Sequence, residues 1–403
     1  MLNSRSAAWI MWLTASIFYA YQYILRVMPS VLLDDIMQQF SMNTTIFGQF
    51  SGIYYIGYSL MHIPLGIMLD KYGPKKIIPV CILLSATGTL PLIFGKEWIF
   101  PTIGRVITGI GSSAAILGTF KIIRMAFDEK RFTRMLSFSV TIGVLGAIYG
   151  GSPVRAMCGV FGYGSTIGIL AAVGAVLAGV AFFVIPDTEE EGRGDSGQSM
   201  FSGLRDVLTN WKVIITCFSS GLMVGPLEGF ADIWGPKFLN RCYGIDGTKA
   251  GYLTSMIFIG MCFGAPVLNF IAEKIGYIRS IIFSAITMFI IFVMLLTKVF
   301  NTLSLTVCFV IVGVCSAYQI LAIYKVSTYV SKNTANLTTA VANMIIMIFG
   351  YVFHGIIGGV INIFSESGMD SAFCYGIAAV PAGLLIGAFG FMIISRAESR
   401  ENS

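Results

Sequence analysis

Charge is what this chain of 403 residues has least of. Asp, Glu, Lys and Arg together make up 11% of it, against 56% hydrophobic residues. An ordinary soluble domain carries about 25% charged residues, so a water-exposed globule is excluded. Histidine is almost missing as well. The two present, His62 and His354, form no ligand motif with any of the eight cysteines, so neither a metal nor another cofactor is expected. No nucleophile stands beside a base, which leaves an enzyme without machinery. The chain also lacks the alternating segments of about ten residues that a membrane barrel requires. Its one long polar stretch, residues 186–211, is too short to be the output domain of a membrane sensor.

Long apolar runs are what the chain has in abundance. Crossing roughly 30 Å of hydrocarbon takes about 20 apolar residues in a helix, and twelve such runs recur. They lie in 9–33, 45–69, 77–95, 99–121, 136–156, 164–185, 212–234, 250–271, 278–297, 303–325, 338–361 and 372–395. The expected fold class is an all-α membrane protein of twelve transmembrane helices, with successive helices antiparallel because most connections are short. With the N-terminus inside, 18 of the 26 Lys and Arg fall in inner segments. That bias predicts a multi-pass protein of a bacterial inner membrane with both termini cytoplasmic. The net charge of +6 is spread over short loops, so it reflects topology and gives no case for a nucleic-acid partner. Residues 7–29 are too long and too aromatic for a cleaved signal, and are expected to act as an uncleaved targeting helix.

The chain also repeats itself. GQFSGIYYIGYSLMHIPLGIMLDKYGPKK, residues 48–76, returns 203 residues later as GYLTSMIFIGMCFGAPVLNFIAEKIGYIR. Gly48 maps onto Gly251, Gly57 onto Gly260, Asp70 onto Glu273, Lys71 onto Lys274, Gly73 onto Gly276, and Lys76 onto Arg279. Two pseudo-symmetric six-helix bundles follow, residues 1–185 and 212–403, joined by a cytoplasmic linker over 186–211. In that linker Glu189, Glu190 and Glu191 predict a solvated run, and Met200 to Leu208 a short amphipathic helix. Duplicated bundles suit a carrier whose central site is exposed by rocking one half against the other.

The inner turn GIMLDKYGPKK, Gly66 to Lys76, resembles the signature loop of the major facilitator superfamily. RVITGIGSSAAILG, with Arg105, Gly109 and Gly111, is similar to its second signature. The resemblance covers essentially the full length and implies the superfamily's two-bundle fold and secondary transport. It implies a gating latch from Asp70, Lys71, Gly73, Lys75 and Lys76, echoed by Glu273, Lys274 and Arg279, with Arg105 in a coupling network. The alternative for the basic turn is simple anchoring at the membrane surface, and close packing alone explains the glycines. GVLGAIYGGSPVR, residues 143–155, lacks the Gly-Pro pair of the superfamily's drug antiporters, which weakens an efflux reading.

Candidate binding residues fall on helical faces. Tyr19, Gln22, Tyr23 and Arg26 are spaced i, i+3, i+4 and i+7, a polar stripe that should face a cavity. A guanidinium pairs with a carboxylate in bidentate fashion, and in several organic-anion carriers of the superfamily an Arg at similar spacing has that task. Snorkelling to the outer headgroups is the alternative for Arg26. Glu228 and Asp232, four apart in LEGFADIWG, are candidates for proton coupling, since two nearby buried acids raise one another's proton affinity. An ion pair with Arg26 or Arg105 is the other reading. Weaker candidates are Tyr55, Tyr58 and His62, then Tyr318, Gln319 and Lys325, then Asn343 and His354. The expected function is proton-coupled transport of a small polar, carboxylate-bearing solute such as an amino acid, small peptide or organic anion, by a monomer whose other partners are protons and lipid. Lipophilic drug efflux is the rival. Cys158 and Cys242 both fall towards the outer face, and the sequence leaves open whether they pair.

Overall fold

The computed structural model describes residues 4–187, 208–330 and 335–401, and every regular element among them is a helix. Twelve long helices stand where the apolar runs predict them. They are α1 (Ser4–Val31), α2 (Thr44–Tyr72), α3 (Pro74–Phe94), α4 (Ile99–Ala126), α5 (Glu129–Gly150 continued by Ser152–Phe161) and α6 (Tyr163–Val184). After the linker come α7 (Trp211–Tyr243), α8 (Gly247–Ile275), α9 (Tyr277–Leu296), α10 (Thr302–Thr328), α11 (Ala335–Ile363) and α12 (Met369–Arg400). Ten are long and apolar enough to cross a membrane, and α5 is an eleventh if its two halves, bent by 44°, count as one span. At 28 residues α1 has the length; its stripe of Tyr19, Gln22, Tyr23 and Arg26 lowers its apolarity. Of the expected linker, residues 188–207 lie outside the described residues, and with them Glu189, Glu190, Glu191 and nearly all of the helix expected from Met200.

The helices group into two compact units. One takes α1, the body of α2 from Ile53 onward, and α3 to α6; the other takes α7 to α12 together with Asn43–Gly52. Division of the sequence at the linker places Asn43–Gly52 in the first bundle, whereas its contacts group it with the second unit. In α6 one apolar face is buried, with Leu170, Leu177 and Ala181, while Val173, Val176 and Phe183 point outward. Both faces are apolar, as a helix between protein and lipid requires.

Lipid tails are as apolar as leucine, so helices in a membrane associate through close packing, and small residues allow it. The repeated glycines do this work. A methyl built on Gly57 would run into the Val106 carbonyl of α4, and one on Gly109 into the Tyr54 carbonyl of α2. The second unit repeats the device: Gly260 meets the Val310 carbonyl of α10, and Gly313 the Ile257 carbonyl of α8. Gly57 and Gly260, 203 residues apart, thus occupy the same helix crossing in each half. Gly143, Gly146 and Gly150 of α5 likewise accept the Tyr19 ring, the Ala20 carbonyl and Ile24 of α1.

A further repeated pair sits in turns. Gly73 (φ 77°, ψ 160°) and Gly276 (φ 92°, ψ 151°) each precede the first residue of a helix, in a region of backbone space that is essentially closed to other residues. The acid–base–glycine turn therefore recurs because the chain reverses with the same backbone geometry in both halves.

Replacing Gly57 or Gly260 with Ala should lower thermal stability by about 1 to 3 kcal/mol, the usual cost of overpacking. Gly179→Ala, on α6 where nothing lies within 4 Å of the added methyl, should be neutral or slightly stabilising. Unfolding of the purified protein followed by tryptophan fluorescence checks both. Equal melting temperatures for all three variants would contradict the packing argument.

Candidate functional site

In the first unit the site is built on α1. Its backbone is fixed by neighbours on two sides. The Trp12 indole donates to Ser139 Oγ of α5 at 2.7 Å, with Ser16 Oγ 2.9 Å from the same hydroxyl, and the Tyr21 hydroxyl donates to the Leu170 carbonyl of α6 at 3.0 Å. A third tie comes from α4. Pro29 lies inside α1 and has no N–H, so the carbonyl four residues earlier, Leu25, loses its helical partner. Arg105 supplies it: Nη1 donates to Leu25 O at 2.7 Å, and Nη2 reaches Arg26 O at 3.3 Å. The expected coupling residue thus grips the backbone of the residue expected to bind substrate.

Arg26 is 8% exposed and does not reach outward. Its guanidinium lies over the rings of Tyr23, 5.0 Å from the centroid, and Tyr55, at 5.2 Å. Such contacts favour a cation that has lost part of its water. Tyr19 meets Tyr23 edge to face at 5.4 Å. Gln22 accepts a hydrogen bond from the Tyr54 hydroxyl at 2.8 Å, and Arg105 lies 5.0 Å above the Tyr54 ring. Tyr54 stacks on Tyr58, whose ring is 4.9 Å from His62. The structure therefore gathers Tyr19, Gln22, Tyr23, Arg26, Tyr55 and Tyr58 into one aromatic and cationic cluster. Tyr54, its link to Arg105, escaped sequence reasoning. The available signal was its i, i+4 spacing to Tyr58.

The second unit holds an acidic counterpart. A cavity of about 20 Å³, room for one water molecule, is lined by Glu228, Ala231, Met261, Ser316 and Gln319 among apolar neighbours. Ser316 donates to the Gly313 carbonyl at 2.7 Å, which leaves its oxygen able to accept from a guest. Asp232 does not line the cavity. It is 1% exposed within a π-helical turn, Phe230–Trp234, and it is Ala231 that continues the Glu228 face. Wide turns of this kind often mark functional sites in helices. Ser316 and Met261 had drawn no attention because small and apolar residues in spans carry no signal by themselves.

Other expected site residues have structural contacts. The fully buried Tyr318 donates to the Ser220 carbonyl at 3.1 Å, tying α10 to α7. His354 is 1% exposed, its Nδ1 lies 2.6 Å from the Gly350 carbonyl, its own carbonyl faces Gly48, and its Cβ faces Gly52. Asn343 is half-buried on α11. Lys325 pairs with Glu398 at 2.7 Å, and the Tyr329 hydroxyl donates to the same carboxylate. At the first repeated turn Asp70 pairs with Lys121 of α4 at 2.9 Å, Lys71 lies over Tyr72, and Lys75 lies over Phe182. Lys76, Glu273, Lys274 and Arg279 belong to the two repeated turns, and all four are exposed.

Buried charge on otherwise apolar helices, in two units of six long helices each, defines a multi-pass membrane protein with a polar interior. A profile of the Major Facilitator Superfamily matches residues 11–353, and the chain belongs to that family. Among individual proteins, one of Agrobacterium vitis assigned as a tartrate transporter is 22% identical over 250 residues, 54% of this chain and 54% of its own length. A probable sulfoacetate transporter of Cupriavidus necator is 30% identical over 99 residues, 25% of this chain and 23% of its own. The quinolone resistance protein NorB of Staphylococcus aureus is 30% identical over 146 residues, 35% of this chain and 28% of its own. The matches thus span about half or less of these relatives. The fold is shared more widely. A nucleoside transporter, NupG, superposes with a TM-score of 0.80 at 16% identity over 95% of this chain and 99% of its own. A bacterial homologue of the lysosomal transporter Spinster, inward-facing and unoccupied, gives 0.76 at 17% identity over 98% of both chains. The family and these names put the chain among transporters and not among enzymes.

The Arg105 contact predicts a specific non-additivity. Arg105→Gln should destabilise the protein by about 1 to 3 kcal/mol, because the Leu25 carbonyl is left unmet. In a Pro29→Ala background the new N–H at position 29 restores the helical bond to Leu25, so the same substitution should cost less. A double-mutant cycle on thermal unfolding measures the difference. Strict additivity would show that Arg105 acts elsewhere.

Proposed function

We propose that the chain is a secondary transporter that moves a small carboxylate-bearing solute by alternating access, with Arg26 taking the carboxylate and Glu228 carrying a coupled proton. One observation carries the reading. Arg26 is a permanently charged group buried on a membrane helix, and its cost is justified where it meets an anion. Its fork stays charged at any working pH and matches a carboxylate edge to edge. The sulfoacetate and tartrate names of the partial relatives support an organic anion, and an amino acid or very small peptide meets the same chemistry. The excess of inner Lys and Arg supports a bacterial inner membrane with both termini cytoplasmic.

Glu228 fits the proton's role by location. A carboxyl lining a cavity large enough for one water, among apolar side chains, pays to be charged. When protonated it passes through an occluded, low-dielectric state at lower cost. Drug efflux is the second reading, favoured by the 146-residue match to NorB; resistance to quinolones on expression would support it.

Arg26→Lys keeps the charge and loses the planar fork. A thermal-shift screen of the parent against small carboxylates should give a ligand, and Arg26→Lys should weaken it by about 1 to 3 kcal/mol, the scale of a charge-assisted hydrogen bond. Unchanged affinity would remove Arg26 from the site.

Glu228→Gln imitates the protonated carboxyl. In proteoliposomes it should still exchange that solute across the bilayer, yet fail to accumulate it under an imposed inward pH gradient. Accumulation equal to the parent's would rule out Glu228 as the coupling group.

A further inference from the structure

The outer end of the second unit carries a chemical feature that transport does not use. Cys242, at the end of α7, lies with its sulfur 3.6 Å from that of Cys374, in the first turns of α12. The two are 132 positions apart, and both belong to the same unit. Cys242 is 9% exposed and its Sγ also lies 3.4 Å from the Asp370 carbonyl; Cys374 is half-buried. Around them Asp370, Ser371 and Tyr375 are exposed, as are Arg241 and Gly244. A reagent in water therefore has an approach to the pair. The backbone there is well anchored. The Tyr243 hydroxyl donates to the Leu295 carbonyl of α9 at 2.7 Å, and Gly244, at φ 65°, closes the helix.

We infer that Cys242 and Cys374 form a redox-active dithiol that closes to a disulfide and staples the outer end of α7 to that of α12. The topology read from the basic residues puts this end outside, where bacteria maintain an oxidising compartment. The sulfurs are in contact already, and a bond of about 2.05 Å needs a further approach of the order of a side-chain rotation. Whether Cys158 pairs with Cys242 was open from sequence; the sulfur that Cys242 meets is that of Cys374.

The oxidant is an external disulfide, R–S–S–R, of a small thiol or of an oxidising protein. One cysteine thiolate attacks one sulfur of R–S–S–R and expels RS⁻, forming a mixed disulfide with the protein. The second thiolate then attacks the protein's own sulfur in that mixed disulfide and expels the second RS⁻. The two protons lost from Cys242 and Cys374 finish on two RSH. Two electrons pass from the protein to the external disulfide, and the protein becomes lighter by two hydrogens.

The cross-link has a mechanical consequence. Between Glu228 and Cys242, α7 contains the π-helical turn Phe230–Trp234. A staple above that turn fixes the Gly235–Tyr243 segment to α12, and any rearrangement of α7 is then confined to the turn and the segment bearing Glu228. Because both sulfurs lie in one unit, the staple stabilises that unit from within.

The test uses the full-length protein in detergent, oxidised with glutathione disulfide or reduced with dithiothreitol. Thiols are then counted after denaturation with a maleimide-bearing polymer. The reduced protein should label at all eight cysteines and the oxidised protein at six, and proteolysis with mass spectrometry should join the peptides of Cys242 and Cys374. The oxidised parent should melt several degrees higher than the reduced parent by tryptophan fluorescence. Cys242→Ser and Cys374→Ser should each label at seven when reduced, lose no more than one thiol on oxidation, as a mixed disulfide with glutathione, and show no such shift. Eight labelled thiols after oxidation, a loss of two in either serine variant, a cross-link mapped elsewhere, or identical melting of oxidised and reduced parent would each overturn the proposal. In right-side-out vesicles a membrane-impermeant aromatic disulfide should close the pair, and in inverted vesicles it should not. Closure only in inverted vesicles would overturn the outer placement.

Discussion

A carbonyl freed inside a membrane has to be met from within the protein, because no water is available to meet it. In this chain Pro29 frees the carbonyl of Leu25, and Arg105 from α4 meets it at 2.7 Å. Much of the first unit hangs on that contact. Arg105 reaches α1 across the α2–α4 crossing, which is close only because Gly57 and Gly109 carry no side chains. Tyr54, beneath the guanidinium of Arg105, holds Gln22, and the same α1 turn presents Arg26 to Tyr23 and Tyr55. A proline, an arginine and two glycines far apart in sequence thus set the position of one buried cation.

The two halves share their packing and differ in their charges. Glycines repeat at the same helix crossing and at the same turn, with matching backbone angles at Gly73 and Gly276. Arg105 has no charged counterpart, since the repeat brings Cys308 to its place. Close approach of backbones is a requirement of the fold and therefore falls on both halves alike. Buried charge is costly in lipid and is expected only where a site uses it. Such an asymmetry is what a duplicated scaffold acquires when a cation sits in one half and an acid in the other.

The fold was legible because lipid leaves few alternatives: each apolar run of spanning length became a helix, and the 203-residue repeat pointed to Gly57 and Gly260 before their contacts were seen. The Tyr19, Gln22, Tyr23, Arg26 stripe was legible from helical spacing alone, since four polar residues on one face of an apolar helix have to point inward. What stayed hidden depended on contacts distant in sequence or on local departures from the α-helix. Nothing in FADIW announces a π-turn, so Asp232 read as a neighbour of Glu228 on one face, whereas Ala231 lines the cavity. Arg105 read as a coupling charge because sequence showed an arginine among glycines, and its partner, a backbone carbonyl 80 residues away, has no letter of its own. The Cys242–Cys374 contact was hidden for the same reason.

The helix ends that carry the repeated turns show how the shared scaffold diverged. The 203-residue repeat brings Tyr324 to the place of Lys121 in α4, and the neighbouring Lys325 of α10 supplies the cation in the second half. Lys121 pairs with Asp70, the acid of the repeated turn; Lys325 pairs instead with Glu398 of α12, and the corresponding acid, Glu273, is exposed. Asp70 is also largely exposed, and an exposed pair contributes at most about 1 kcal/mol. The Lys325–Glu398 pair is less exposed, on both sides, and gains a hydrogen bond from Tyr329, so it is the firmer of the two. A weak contact is easily exchanged for another of similar strength, while a firm one fixes the helices it joins. The Asp70–Lys121 contact is therefore the weaker tie, and the Lys325–Glu398 pair holds α10 to α12 more firmly.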